Sequence, residues 1–345
     1  MIRSDIRKMR SYSVPEHQGL IKLDAMENPY LLPEALQQDL ATHLSKVAIN
    51  RYPDSSMLSL REQIAKRDGV NANQILLGNG SDELIQLLLL SAESGTCVVP
   101  SPTFVMYKLI TKWLQRQISE VPLAKDFSLN AKDVLHVCVR EKASIVFLAC
   151  PNNPTGNLWD QDEVTKIAKN FGGLVVIDEA YLPFSDHQFL DLISHNVIIS
   201  RTFSKMGMAG LRLGYLIADP SIIDHLNKIR MPYNINVLTQ AAASFLLKHS
   251  DVFDAQIKDI CENREKVFQS LHQLTNIDVY PSKSNFLTFR CPDANATFET
   301  LKSNGLLIKN LHGSHPSLKN CLRVTIGTND ENDYFLQLLT EATPA

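Results

Sequence analysis

The stretch "LVVIDEAY", Leu174 to Tyr181, opens on four apolar residues, three of them β-branched, and closes on two acids and a tyrosine. A short apolar run without polar alternation is the pattern of a strand covered on both faces. Just upstream, "QDEVTKIAKNFGG" (161–173) is amphipathic at helical spacing and stops on glycines. Before that, "SIVFLACPNNPTG" (144–156) is a second buried run, broken by proline and glycine. Strand, helix, strand in that order is the unit of a parallel sheet, because a parallel partner needs a long crossover.

The same alternation extends from about residue 57 to 218. "MLSLREQIAKRDG" (57–69), "SDELIQLLLLSA" (81–92) and "FVMYKLITKWL" (104–114) read as helices. "QILLGNG" (74–80), "GTCVVPSP" (95–102), "NVIISRTFSK" (196–205) and "LRLGYLIADP" (211–220) read as strands. This predicts an α/β domain with a mostly parallel sheet covered by helices. After Pro220 the pattern changes to long helices over 221–275. Then come "IDVYPSKSNFLTFR", "LLIKNL", "CLRVTIGT" and a last helix, "ENDYFLQLLTEA". That order predicts a smaller α+β unit. The expected division is an arm (1–35), a large domain (36–240) and a small C-terminal domain (241–345).

Bulk properties exclude several classes. The chain has 345 residues, 44% hydrophobic and 21% charged, with a net charge of −3. Nothing basic calls for nucleic acid, and no apolar run is long enough to span a bilayer. The six cysteines are scattered, without disulfide or metal-ligand spacing, which points to reduced thiols and a cytoplasmic protein.

In open α/β sheets ligands bind beyond the carboxyl ends of the strands. Four segments fall there. "GNGSDE" (78–83) brings two glycines to a helix start, where free N–H groups and the helix dipole favour an anion; taken alone, a capped helix with nothing bound is the plainer reading. Asp82 and Glu83 would repel a phosphate unless their carboxylates turn away. "CPNNPTG" (150–156) forms a rigid turn from which Asn153 can offer an amide donor; in isolation a plain turn is the simpler reading. Asp178 ends a buried strand, where a carboxylate is costly unless paired, and Tyr181 follows three residues later. It could cap the next element or hold a cationic ring nitrogen. Lys205 lies just past a strand, beside Thr202 and Ser204, with Arg212 seven residues on. A desolvated lysine near other cations becomes a nucleophile toward carbonyls, and arginine suits a phosphate; a surface lysine and a structural ion pair are the plainer readings. Together the four would serve pyridoxal 5′-phosphate (PLP), whose aldehyde, ring nitrogen, ring oxygen and phosphate each need one of them.

The ordered set GNGSDE, PNNPTG, DEAY, SK…GLRLGY and CLRVTIGT resembles the fold-type-I PLP-dependent aminotransferases. "KLDAMENPY", "NRYPD" and "LIKNLHGSHP…CLRVTIGT" are similar, more narrowly, to the histidinol-phosphate aminotransferase family. The resemblance implies that Lys205 condenses with the PLP aldehyde and later acts as base and acid. It implies that Asp178 pairs with the ring nitrogen, that Asn153 and Tyr181 hold the ring oxygen, and that Tyr107 stacks on the ring. Backbone at Ser81 and Asp82, with Ser204 and Arg212, would hold the phosphate. Tyr52 would reach the PLP phosphate of a neighbouring subunit, which requires a homodimer. Arg323 would bind the substrate's anionic group, assisted by Lys309, where relatives usually carry arginine, and by Tyr12 in the arm. The gap from Lys205 to Arg212 is one residue shorter than is common, and Arg212 is still expected to reach the phosphate. The implied reaction is transamination between histidinol phosphate and 2-oxoglutarate, giving glutamate, in histidine biosynthesis. An aromatic aminotransferase, or a lyase like threonine-phosphate decarboxylase, is the alternative within the same fold.

Overall fold

The computed structural model describes residues 1–9, 11 and 18–343. Among the described residues thirteen strands form three sheets. β1 is Ile21–Lys22; β2 to β8 are Ile75–Gly78, Thr96–Ser101, Ile118–Pro122, Ala143–Ala149, Leu174–Asp178, Val197–Thr202 and Gly214–Ile217. β9 to β13 are Asp278–Val279, Phe286–Arg290, Leu306–Leu307, Lys309–Asn310 and Cys321–Thr325. The seven-stranded sheet has the order β2-β8-β7-β6-β5-β3-β4. All neighbours pair in parallel except those of β8, which runs against both β2 and β7. The mostly parallel α/β sheet expected from the sequence is therefore present.

Its inner strands are mostly apolar because both of their faces are buried. Val175, Ile177, Val197 and Ile199 face one apolar core, together with Ile64, Val164 and Ile167 from covering helices. Their neighbours Val176 and Ile198 face the other, with Leu84, Leu88 and Ile110. This two-residue alternation is what a strand imposes. β4 escapes the sequence pattern because it is an edge strand, and only Val121 of its five residues is buried.

A second core packs a four-stranded antiparallel sheet, β12-β13-β10-β9, against the helices Ser250–His272, Ala294–Ser303 and Asn329–Ala342. Part of the N-terminal arm is built into it. β1 pairs in parallel with β11, Thr325 N donates to Leu23 O at 2.8 Å, and Leu23 is 2% exposed. The residues after β1, Asp24 to Glu27, thereby lie across the ends of the large-sheet strands. Among the described residues no helix is long and apolar enough to cross a membrane. All six cysteines are free thiols, five of them buried.

Candidate active site

The carboxyl ends of β2, β3, β5, β6 and β7 open into one cavity of about 410 Å³. Every residue expected to bind PLP lines it except Tyr52. Lys205 enters by a compact route. β7 ends at Thr202, and two 3₁₀ turns, Ser204–Met206 and Ala209–Leu211, fold the chain back toward β8. Gly207 between them has φ +121°, open to glycine at little cost. Thr202 Oγ1 donates to Leu213 O at 3.2 Å and accepts from Ser204 N at 3.2 Å, which pins the turn to the strand. The Lys205 amine donates to Ala25 O at 3.4 Å and lies 5.8 Å from the Tyr181 ring centre. Burial, then the charges of Arg323, Arg212 and Lys22, bring its pKa down to about 8, with Glu27 pulling the other way. A desolvated ammonium among cations gives up its proton more readily, as expected for this position.

Asp178 is 5% exposed at the end of β6. Its Oδ2 accepts from Tyr107 Oη at 2.6 Å and its Oδ1 from Ala180 N at 3.0 Å. Burial raises its pKa to about 6; those two donors and Lys205 oppose the rise, and Asp82 adds to it. Asn153 bridges two parts of the site. Its amide donates to Tyr181 Oη at 3.0 Å, and its Oδ1 accepts from Arg323 Nη1 at 2.5 Å.

The helix Ser81–Ser91 begins at the cavity after Gly80, whose φ is +82°. A Cβ on Gly80 would stand 2.7 Å from Arg212 Nη2, so only glycine lets the guanidinium lie over the helix start. The shortened Lys205–Arg212 loop therefore still delivers Arg212 to the cavity. Of the two acids, Glu83 turns away and accepts from Asn79 N and Asn234 Nδ2. Asp82 does not: it lines the cavity 3.5 Å from Arg212, and its buried Oδ1 has no hydrogen-bond partner among the described residues.

Tyr107 lies deep in the cavity wall: its ring is fully buried, one face stacks on Phe147, centroids 4.8 Å apart, and its hydroxyl is on Asp178. Phe104, half-buried and edge-on to Tyr107, is the most exposed aromatic of the wall. Phe104 caps the helix Val105–Trp113 and Tyr107 sits in its first turn, so the one nearer the strand end is the less buried. Sequence reasoning also passed over Ala25–Glu27, which roof Lys205, and Asn152, whose side chain ties the turn to Pro102 O and Thr103.

The substrate candidates separate from this group. Arg323 and Lys309 line a second cavity of about 320 Å³, which shares Met26, Phe104 and Asn153 with the first. Arg323 Nη2 donates to Asp24 O at 3.0 Å, and its guanidinium sits 5.1 Å from the Phe286 ring centre. Burial and Arg323 lower the Lys309 pKa, against Asp24. Tyr52 is 81% exposed and stacks on Tyr233 at 4.6 Å, outside both cavities. Tyr12 lies outside the described residues.

Fold and site together are those of an aminotransferase: the family described as aminotransferase class I and II matches residues 18–339. Histidinol-phosphate aminotransferase of Chromobacterium violaceum is 46% identical over 98% of this chain and 97% of that protein. Histidinol-phosphate aminotransferase 1 of Burkholderia lata is 45% identical over 100% and 98%. The crystal structure of histidinol-phosphate aminotransferase from Sinorhizobium meliloti in complex with pyridoxal-5′-phosphate superposes with a TM-score of 0.88 at 25% identity, covering 99% of this chain and 97% of that one. The chain belongs to the class I and II aminotransferases, on the histidinol-phosphate aminotransferase branch.

Proposed function

We propose that this enzyme uses PLP to move the amino group of L-histidinol phosphate to 2-oxoglutarate, giving imidazole acetol phosphate and glutamate in histidine biosynthesis. The observation that carries the reading is the Lys205 amine, lowered to a pKa of about 8 inside the cavity that also holds Asp178. The residues present fit PLP. A buried carboxylate with no ion pair among the described residues suits a ring nitrogen that carries a proton. The Asn153–Tyr181 pair suits a ring oxygen. Arg212 over a glycine-opened helix start suits a phosphate dianion. The Asp82 carboxylate is the awkward member, and the proposal has it turn from Arg212 when a phosphate takes that place.

Bound there, PLP supplies an electron sink that stabilises negative charge on the carbon bearing the amino group. The protein does the rest. Asp178 holds a proton at the ring nitrogen, and Tyr107 holds Asp178 in place. Phe104 offers the ring an apolar face. Lys205 Nζ, about a tenth neutral at pH 7 for a pKa of about 8, takes the proton from the substrate's Cα and returns one at the end of the transfer. Arg323 and Lys309 hold the substrate's anionic end, and the Ala25–Glu27 segment keeps water from the amine.

Several further points are part of the proposal. A homodimer is supported by the exposed Tyr52–Tyr233 pair and by Leu31, Ile49 and Met231, at 84%, 75% and 68% exposure. Tyr52 would then complete the neighbour's phosphate site. A cytoplasmic setting is supported by six free thiols. The division into an arm, a large and a small unit, at 1–35, 36–240 and 241–345, is also part of the proposal: two separate cores support two units, while the helix Val237–Leu246 spans the last limit and its Ala243 and Leu246 belong to the large core. A donor panel on the PLP-loaded enzyme tests the function. Glutamate formation from 2-oxoglutarate should be fastest with histidinol phosphate. Faster turnover of phenylalanine, or carbon dioxide release from phosphothreonine, would contradict it.

A further inference from the structure

The second cavity holds groups that no role above uses. Besides Arg323 and Lys309 it is lined by Lys108, Glu120, Ser314 and His315. Glu120 is already engaged: it forms an ion pair with Lys108 and accepts from Ser101 Oγ at 3.0 Å. Arg323, which also holds Asn153 and Asp24 O, and Lys309 line the same space. His315 joins them as a neutral donor. Ser317 N donates to His315 Nδ1 at 3.2 Å, and Ser317 Oγ, 2.7 Å from the same nitrogen, can donate to it as well; with Nδ1 accepting, the ring proton is assigned to Nε2. Nε2 makes no hydrogen bond among the described residues. Burial lowers the His315 pKa and Lys108 adds to this, while Glu120 opposes it, so the neutral ring prevails near pH 7. The turn that carries it is fixed independently of any ligand: Arg290 donates to Ser317 O at 2.9 Å and to Lys319 O, and Tyr280 braces Arg290.

A fork from one arginine satisfies a carboxylate, whereas a phosphate monoester near pH 7 carries close to two charges and three acceptor oxygens. At position 309 this chain has a lysine, which gives a charge without the fork. We propose that His315 is a specificity-determining residue, whose Nε2–H donates to the phosphate of a phosphorylated amino donor held by Arg323 and Lys309. The inference rests on the donor proposed above. It makes His315 matter for the phosphate ester and not for glutamate, which uses the same cleft through its carboxylates.

The test compares the two donors on the PLP-loaded enzyme. His315→Asn keeps an acceptor near the Nδ1 position, so the Ser317 contact survives, but it removes the Nε2 donor. KM for histidinol phosphate should rise about tenfold, the size of one hydrogen bond to a charged group. Both kcat values and the KM for glutamate should stay within about twofold, a measure of one lost contact against general damage. His315→Gln, which returns an N–H near the Nε2 position, should recover most of the loss. An unchanged KM in His315→Asn, an equal rise for glutamate, or no recovery in His315→Gln overturns the role. A wild-type enzyme that turns over glutamate but not histidinol phosphate contradicts the proposed function itself, a separate outcome.

Discussion

Asp178 and Glu179 are neighbours at one strand end, both buried, and the molecule treats them in opposite ways. Glu179 is saturated. Its Oε2 takes Arg201 Nε at 2.8 Å and Nη2 at 2.7 Å, and its Oε1 takes Phe189 N at 2.6 Å. Arg201 in turn meets Asp68 at 3.1 Å, which also accepts from Tyr215 Oη at 2.7 Å. Asp178 has two neutral donors and no cation within an ion-pair distance among the described residues. Burial raises the pKa of both, yet only Glu179 has its balancing charge inside the protein. A buried carboxylate whose counter-charge is built in is architecture. One whose counter-charge must arrive from outside marks a binding site.

This contrast can be broken by substitution on either side. The largest effect belongs to the cavity side. Lys205→Ala should lower turnover at least about 10⁴-fold, the upper range for a lost acid–base group, with the melting temperature no lower than wild type. On the architectural side, Arg201→Met should cost about 3–5 kcal/mol in denaturant unfolding, because it strands Glu179 and Asp68 without their cation. Asp178→Asn should reverse that profile: kcat falls about 100-fold and PLP binds more weakly, while unfolding without PLP becomes no easier.

The same pair gives a pH test. Asp178 binds its proton more tightly in the folded chain, about 6 against 3.8, so between roughly pH 4 and 6 the folded state holds more protons than the unfolded one. The contribution of Asp178 to stability is therefore greatest below pH 4 and declines as pH rises toward 6. Unfolding midpoints of PLP-free wild type should lose ground to those of Asp178→Asn across that window. A constant gap between the two would remove the idea that Asp178 is left unbalanced. The smallest effect is Tyr107→Phe, which deletes one donor to Asp178 and should reduce kcat about tenfold. A ring that stacked on PLP would instead tolerate loss of its hydroxyl almost without cost.

How legible all this is in the sequence follows from the range of each interaction. Asp178, Asn153 and Lys205 can be read because each lies at, or a few residues past, the end of a buried strand, and strand ends are where such a sheet binds ligands. The helix-start site at Ser81 can be read from its glycines. The Glu179–Arg201–Asp68 network cannot, since its members lie on three separate segments and only the sheet order joins them. Phe104 and Tyr107 are a different case. Both line the cavity, and how deep each ring lies in its wall is a tertiary property that spacing does not encode. β4 is missed because an edge strand is half-wet and carries no continuous apolar run. His315 is hidden in a turn whose only local signal is the His-Pro pair, and its meaning depends on Lys309 and Arg323 across the sheet.

The central claim is that the Lys205 amine is the nucleophile of the cavity. Borohydride reduction of the PLP-loaded protein, followed by peptide mass mapping, tests it most directly. The account predicts one pyridoxyl adduct, on the peptide that carries Lys205, together with loss of activity. An adduct on another lysine, or a protein that keeps its activity and carries none, would contradict it.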